Sequence, residues 1–131
     1  VQVSDAEVTH RLLMDGDRIT LSHKSRLKFN TPNAASTSAT LVVSGARMPR
    51  PDINYCILLD RDILIGPSGN NHIRTSRLST TLALTWQDNQ LFCRNAEKLM
   101  VDGKQAHSAT PLPTHQSIQL DQISLVITRI N

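Results

Sequence analysis

Aromatic side chains are nearly missing from this sequence: one Trp, one Tyr and two Phe stand among 131 residues. Single-stranded nucleic acid is held by stacking bases on aromatic platforms, so this composition argues against that partner. Cysteine is equally scarce. Cys56 and Cys93 each lie inside an apolar run, which allows either one bridge between neighbouring strands or two thiols buried as small apolar groups. The second reading is the simpler. No apolar stretch approaches the ~18–20 residues of a membrane-crossing helix, and the opening residues VQVSDAEVTH show no signal-peptide pattern. No membrane partner is expected, and thiols left free rather than bridged make a cytoplasmic protein the expectation. Excess charge is lacking too, since 14 Lys and Arg against 11 Asp and Glu leave a net +3. That is too mild to identify an anionic partner.

Catalytic signatures are also absent. The five histidines (His10, His23, His72, His107 and His115) are scattered over turns and strand ends. No HExxH, GxSxG, P-loop or paired-cysteine motif occurs. Asp15-Gly16-Asp17 lacks the ~12-residue ligand loop of a calcium site and reads as a turn. The sequence thus predicts a non-enzyme with no cofactor and no metal.

What is present is alternation with period two, the mark of half-buried strands. In RITLSHKSRLKF, Lys24, Arg26 and Lys28 share one face, and Leu27 and Phe29 share the other. TLVVSG, YCILLD and DILIG are short apolar runs, and TLALTW sets Leu82, Leu84 and Trp86 against Thr81, Ala83 and Thr85. QLFC, LMVDG, SIQL and ISLVI follow. Turn signals fall between these runs at Asp15-Gly16, Asp60-Arg61-Asp62, Asp88-Asn89 and Asp102-Gly103. The pattern predicts an all-β sandwich or barrel in which Leu82, Leu84, Trp86, Ile123, Leu125 and Ile127 are buried. Residues 11–29 should form a hairpin turning near Ser22–Ser25. A competing local signal is Ser4-Asp5-Ala6-Glu7, which fits a capping box and would start a short helix.

The stretch 30–40, NTPNAASTSAT, is the most linker-like, and 44–52, SGARMPRPD, reads as an exposed loop. A faint internal echo links MDGDRITLSHKSRLKF with VDGKQ and the later SIQLDQISLVI; each runs from an Asp-Gly turn to an Ile-x-Leu strand and a returning strand. The division expected is an N-terminal β-hairpin extension over 1–38 and a β-sandwich over 39–131. The echo leaves open that the first segment is the tail of a preceding domain of the same kind. The basic stripe of Lys24, Arg26 and Lys28 reads as a solvated face or an edge guarded against aggregation, with nucleic acid an unlikely partner.

From Thr40 onward the order of elements resembles a forkhead-associated (FHA) domain. The residues that carry the resemblance are TLVVSG, then YCILLDRDILIG ending at Gly66, then NNHIRTS and LSTTLALTW, then LMVDGK and PLPTHQSIQLDQISLVI. The resemblance implies a β-sandwich of about eleven strands, here with extra N-terminal strands, that binds phosphothreonine peptides through loops at one end. The pocket departs from the family pattern. Pro67 stands where the family places its phosphate-binding arginine, and Leu82 stands where it places a histidine. Glu97-Lys98 replaces its Asn-Gly, while Ser79 matches its serine and Asn95 lies two residues early. A phosphate with ~1.5–2 negative charges is best met by a bidentate arginine and backbone donors. Proline supplies neither a charge nor an N–H. The expectation is an interaction module for a protein or peptide partner, not dependent on phosphate. The alternatives are a rearranged phosphopeptide site built from Arg74, Ser76, Arg77, Ser79 and Asn95, or a structural repeat in a tandem protein. The N-terminal strands also offer a route to a homodimer.

Overall fold

The computed structural model describes residues 1–44, 53 and 55–129. Among these the chain is all β, with fourteen strands and no helix. No helix there is long and apolar enough to cross a membrane. Two compact units divide at Asp60, Val1–Asp60 and Arg61–Asn131. This division falls later than the 38/39 boundary read from the sequence, because Ala39–Ser44 and Tyr55–Leu58 pair into the N-terminal sheet. The segment 31–38 links adjacent strands of that sheet and is not a free linker. Its Ser38 is fully buried and accepts the Asp60 N–H at 3.0 Å, while Thr37 Oγ1 donates to the Asp60 carboxylate. The exposed loop expected over 44–52 lies, beyond Ser44, outside the described residues.

The first unit is one antiparallel sheet. Its strands are β1 (Gln2–Val3), β2 (Ala6–Glu7), β3 (Arg18–Ser22), β4 (Ser25–Asn30), β5 (Ala39–Ser44) and β6 (Tyr55–Leu58), in the order β2-β1-β3-β4-β5-β6. The capping box does not start a helix. Ser4 and Asp5 take φ of 49° and 69°, so they make a tight two-residue turn from β1 into β2. Positive φ at both turn positions matches the right-handed twist of a strand pair. The Ser4 hydroxyl does not cap; it donates to Asp17 Oδ1 at 3.0 Å.

Asp17 is the polar anchor of this unit. It is 7% exposed, accepts the Met14 N–H at 2.8 Å and pairs with Arg11 at 3.5 Å. The Met14 N–H, with help from Ser4 and Arg11, holds its carboxyl below the usual carboxylate value against the opposing effect of burial. Asp15 Oδ1 meanwhile accepts the Thr31 N–H at 2.8 Å. Both carboxylates thus serve the chain reversal at Gly16, whose φ is +87°. The hairpin over 11–29 forms as expected, with His23 and Lys24 as its turn. Arg26 and Lys28 are exposed and Leu27 and Phe29 half-buried, but Lys24 belongs to the turn and not to the strand.

The second unit is a sandwich of two four-stranded sheets. One holds β7 (Asp62–Gly66), β8 (Ile73–Arg74), β9 (Leu82–Gln87) and β10 (Gln90–Cys93), ordered β10-β9-β7-β8, with β8 parallel to β7. The other holds β11 (Leu99–Val101), β12 (Lys104–Gln105), β13 (Ile118–Leu120) and β14 (Ile123–Leu125), ordered β12-β11-β13-β14 and antiparallel. Asp88 and Asn89 (φ 52° and 62°) turn β9 into β10, and Asp102 and Gly103 (φ 50° and 78°) turn β11 into β12. Asp and Asn tolerate the left-handed region better than most residues. The core joins Ile65, Leu78, Leu82, Leu84 and Cys93 to Leu99, Leu112, Ile118 and Leu120. Each fully buried leucine or isoleucine contributes roughly 1.5–3 kcal/mol relative to an exposed one.

Of the core residues expected from alternation, Leu82 and Leu84 are buried, and Ile123, Leu125 and Ile127 pack half-buried on the cluster. Trp86 is not in the core; it is 39% exposed. Alternation assigns a face, whereas depth depends on where the opposing sheet stops. Both cysteines are free thiols, Cys93 in the core and Cys56 half-buried in the other unit.

Candidate functional site

Three connections of the second unit line one open groove of about 610 Å³: residues 76–80 after β8, Glu97 and Lys98 before β11, and Asp121 and Gln122 between β13 and β14. The first connection, TSRLSTT, is rich in hydroxyls and would wander in solvent without an anchor. Leu78 supplies one. It is 4% exposed and joins the core, which leaves Ser76, Arg77, Ser79 and Thr80 exposed on either side of it. Thr75 fixes the entry, donating its N–H to the Gly66 carbonyl at 2.8 Å.

The other two connections are tied to each other. Lys98 N–H donates to Asp121 Oδ1 at 2.7 Å, and Asp121 N–H donates back to the Lys98 carbonyl at 2.9 Å. Asp121 adopts φ 52° to do so. These bonds fix two of the three connections to each other, and the groove lining carries Arg77 and Lys98 together with Glu97 and Asp121. Its formal charge balances. A doubly charged phosphate entering it would meet two carboxylates as well as two cations, so the attraction that a phosphate pocket concentrates is largely cancelled.

Of the five residues expected to form a phosphopeptide site, Ser76, Arg77 and Ser79 line this groove. Arg74 and Asn95 do not. Arg74 turns away, its Nε donating to the Pro67 carbonyl at 3.2 Å. Asn95 is a structural clasp, because its Nδ2 donates to the Thr81 carbonyl at 2.9 Å and its Oδ1 accepts the Ala83 N–H at 3.1 Å. These two bonds tie the loop after β10 to the start of β9. Leu82 points inward, 1% exposed, as its place in the alternation implies. Thr80, Asp121 and Gln122 are groove residues that the sequence reading did not include. The Asp-Gln turn between two apolar runs was the available signal for the last two.

A second groove, of about 580 Å³, lies where Trp86, Leu91 and Ile127 meet the Pro111–Pro113 segment, with Asn89, Gln90 and Arg129 at its margin. Leu112 N–H donates to the Leu91 carbonyl at 2.8 Å, so the proline segment closes part of the open edge of β10. Sequence reasoning missed this groove because it placed Trp86 in the core.

His72 is buried and its Nδ1 accepts the Leu64 N–H at 2.9 Å, a structural use. Among the described residues, no three His, Cys, Asp or Glu side chains come together to hold a metal ion. Comparison with models of known families, with curated proteins and with solved structures found no significant match for this chain.

Proposed function

We propose that this chain is a non-catalytic interaction module that takes an unmodified peptide or loop of a protein partner in the groove formed by residues 76–80, 97–98 and 121–122. The observation that carries the reading is the balanced charge of that groove, whose lining holds two cations and two carboxylates, with the connections at Lys98 and Asp121 hydrogen-bonded to each other. Such a site favours a polar segment bearing both signs over a phosphate. The part of the FHA-like order that lies in the second unit, from Asp62 onward, supports recognition through loops at a sandwich end, and the replacements at Pro67 and Leu82 support independence from phosphate. No nucleophile, cofactor or metal is invoked.

The competing reading is a rearranged phosphothreonine site, favoured by Ser76, Arg77, Ser79 and Lys98 lying in one groove. Fluorescence-anisotropy screening of matched phosphothreonine and threonine peptide libraries at ~0.15 M salt, where long-range charge attraction is damped, separates the two. Less than about tenfold selectivity (~1.4 kcal/mol) is expected. Greater selectivity that disappears in an Arg77→Ala, Lys98→Ala variant establishes the rearranged site instead.

A further inference from the structure

The first unit carries a basic face that the proposed groove does not use. Register places Glu7, Gln2, Thr20, Arg26 and Ser44 in one row across β2, β1, β3, β4 and β5, and Arg18, Lys28 and Val42 in the next. Residues opposite one another across antiparallel strands project from the same face, as do residues two apart along a strand. Arg18, Lys28 and Arg26 therefore share one exposed surface. They line a shallow depression of about 400 Å³ with Thr20, Ser44 and Asp5.

The arrangement works against the stability of the sheet. Arg18 lies directly opposite Lys28, and like charges in that relation are destabilising by roughly 0.2–1 kcal/mol. Among the described residues two carboxylates answer them: Glu7, in the row of Arg26, and Asp5, which meets Arg18 at 3.5 Å with both side chains largely in water. An ion pair so exposed is worth little. The hydroxyl and amide groups of Thr20, Ser44 and Gln2 fill the spaces between the cations. Solubility alone requires no such juxtaposition.

We infer that this face docks an extended acidic peptide whose carboxylates fall at alternate positions. Arg26 and Lys28, two residues apart on β4, project about 6.6–6.8 Å from each other along the strand. An extended chain presents every second side chain at the same pitch, so Glu-x-Glu laid along β4 meets both cations at once, and Arg18 reaches the second carboxylate from the neighbouring strand. Duplex nucleic acid fits less well, since strong duplex binding draws on many phosphate contacts, on the order of 6–10, and the described residues of this face offer three cations.

The test uses the whole chain and a fluorescein-labelled peptide of alternating glutamate and serine, with a peptide of the same composition in separate glutamate and serine blocks as comparison. At ~0.15 M salt the alternating peptide is expected to bind at least about threefold tighter than the block peptide. Arg26→Glu with Lys28→Glu, at exposed positions, should weaken it about tenfold or more, while Lys104→Glu on the other unit leaves it unchanged. Asp5→Asn and Glu7→Gln, which remove the competing charges and keep at position 5 a residue that tolerates its positive φ, should together tighten it about two- to threefold. Equal binding of the two peptides, indifference to the charge reversals, or tighter binding of a DNA duplex or of phosphatidylserine vesicles overturns the inference. None of these readouts involves the groove of the second unit, so the two readings fail separately.

Discussion

Thr81 and Asn71 meet over Gly66: Thr81 Oγ1 donates to Asn71 Oδ1 at 3.1 Å, and a Cβ on Gly66 would lie 2.7 Å from Asn71 Nδ2 and 2.9 Å from Thr81 Oγ1. The glycine that ends β7 is thus required by close approach. Asn71 Nδ2 is held in place by the Ser68 carbonyl at 3.1 Å, so it cannot simply yield. Gly66→Ala should cost about 1–3 kcal/mol, the usual range for overpacking. Thermal unfolding followed by circular dichroism reads this directly. Gly69→Ala, where nothing lies within 4 Å of the added carbon, should shift stability by no more than about 0.5 kcal/mol.

The Asn95 clasp makes a prediction of a different kind. Losing its bonds to Thr81 and Ala83 should cost about 1–2 kcal/mol in Asn95→Ala, at roughly 1 kcal/mol per hydrogen bond. Asn95→Asp keeps an acceptor for the Ala83 N–H but has no donor for the Thr81 carbonyl, so it should fall between the two. Urea unfolding ranks the three proteins. An alanine variant as stable as the parent removes the structural role assigned to Asn95.

Restoring the side chains of a phosphate pocket should fail at Leu82. This residue is 1% exposed in the shared core of the sandwich, and Leu82→His combines a lost apolar contact with a buried polar ring. A destabilisation of about 3 kcal/mol or more is expected. Pro67→Arg, at an exposed loop position, should change stability by less than about 0.5 kcal/mol. The midpoints of urea unfolding for the two single variants decide this, and Leu82→His with an unchanged midpoint contradicts the inward packing.

Acid should act on the first unit through Asp17. Its carboxyl is held below the ordinary value in the folded chain, chiefly by the Met14 N–H. The folded state therefore binds its proton less readily than the unfolded one, whose carboxyl titrates near ~3.9. The stabilisation is present above that value and is lost as pH falls through the folded-state pKa. Asp17→Asn should remove this dependence below about pH 4. Unfolding midpoints measured across that range in the parent and the variant give the comparison; parallel curves refute it.

The two thiols should differ in reactivity. Burial pushes the Cys93 thiol up, and the thiolate is the reacting form. Cys93 is 1% exposed, whereas Cys56 is half-buried. Iodoacetamide under native conditions should label Cys56 first, as read by peptide mass spectrometry, and Cys93 should follow only on unfolding. Early labelling of Cys93 would show that the sandwich core opens readily.

Local residue pattern alone was enough to settle the strand character of this chain and most of its reversals. Alternation marked β3, β4 and β9, and the pairs Asp88-Asn89 and Asp102-Gly103 announced hairpin turns, because side-chain direction and positive-φ tolerance are properties of a few neighbouring residues. Tertiary structure decided everything that depends on what lies opposite. It sent β5 and β6 into the N-terminal sheet, since pairing partners are chosen across the chain. It left Trp86 at a groove mouth while burying Leu82 and Leu84 on the same face of β9. It also divided the candidate residues by direction: Arg77 turns into the groove and Arg74 toward the Pro67 carbonyl, although three positions separate them. A loop of exposed polar residues takes its direction from its anchors, here Leu78 in the core and Thr75 on Gly66. The first anchor exists only once the two sheets have closed on each other, and the second only once β8 has paired with β7.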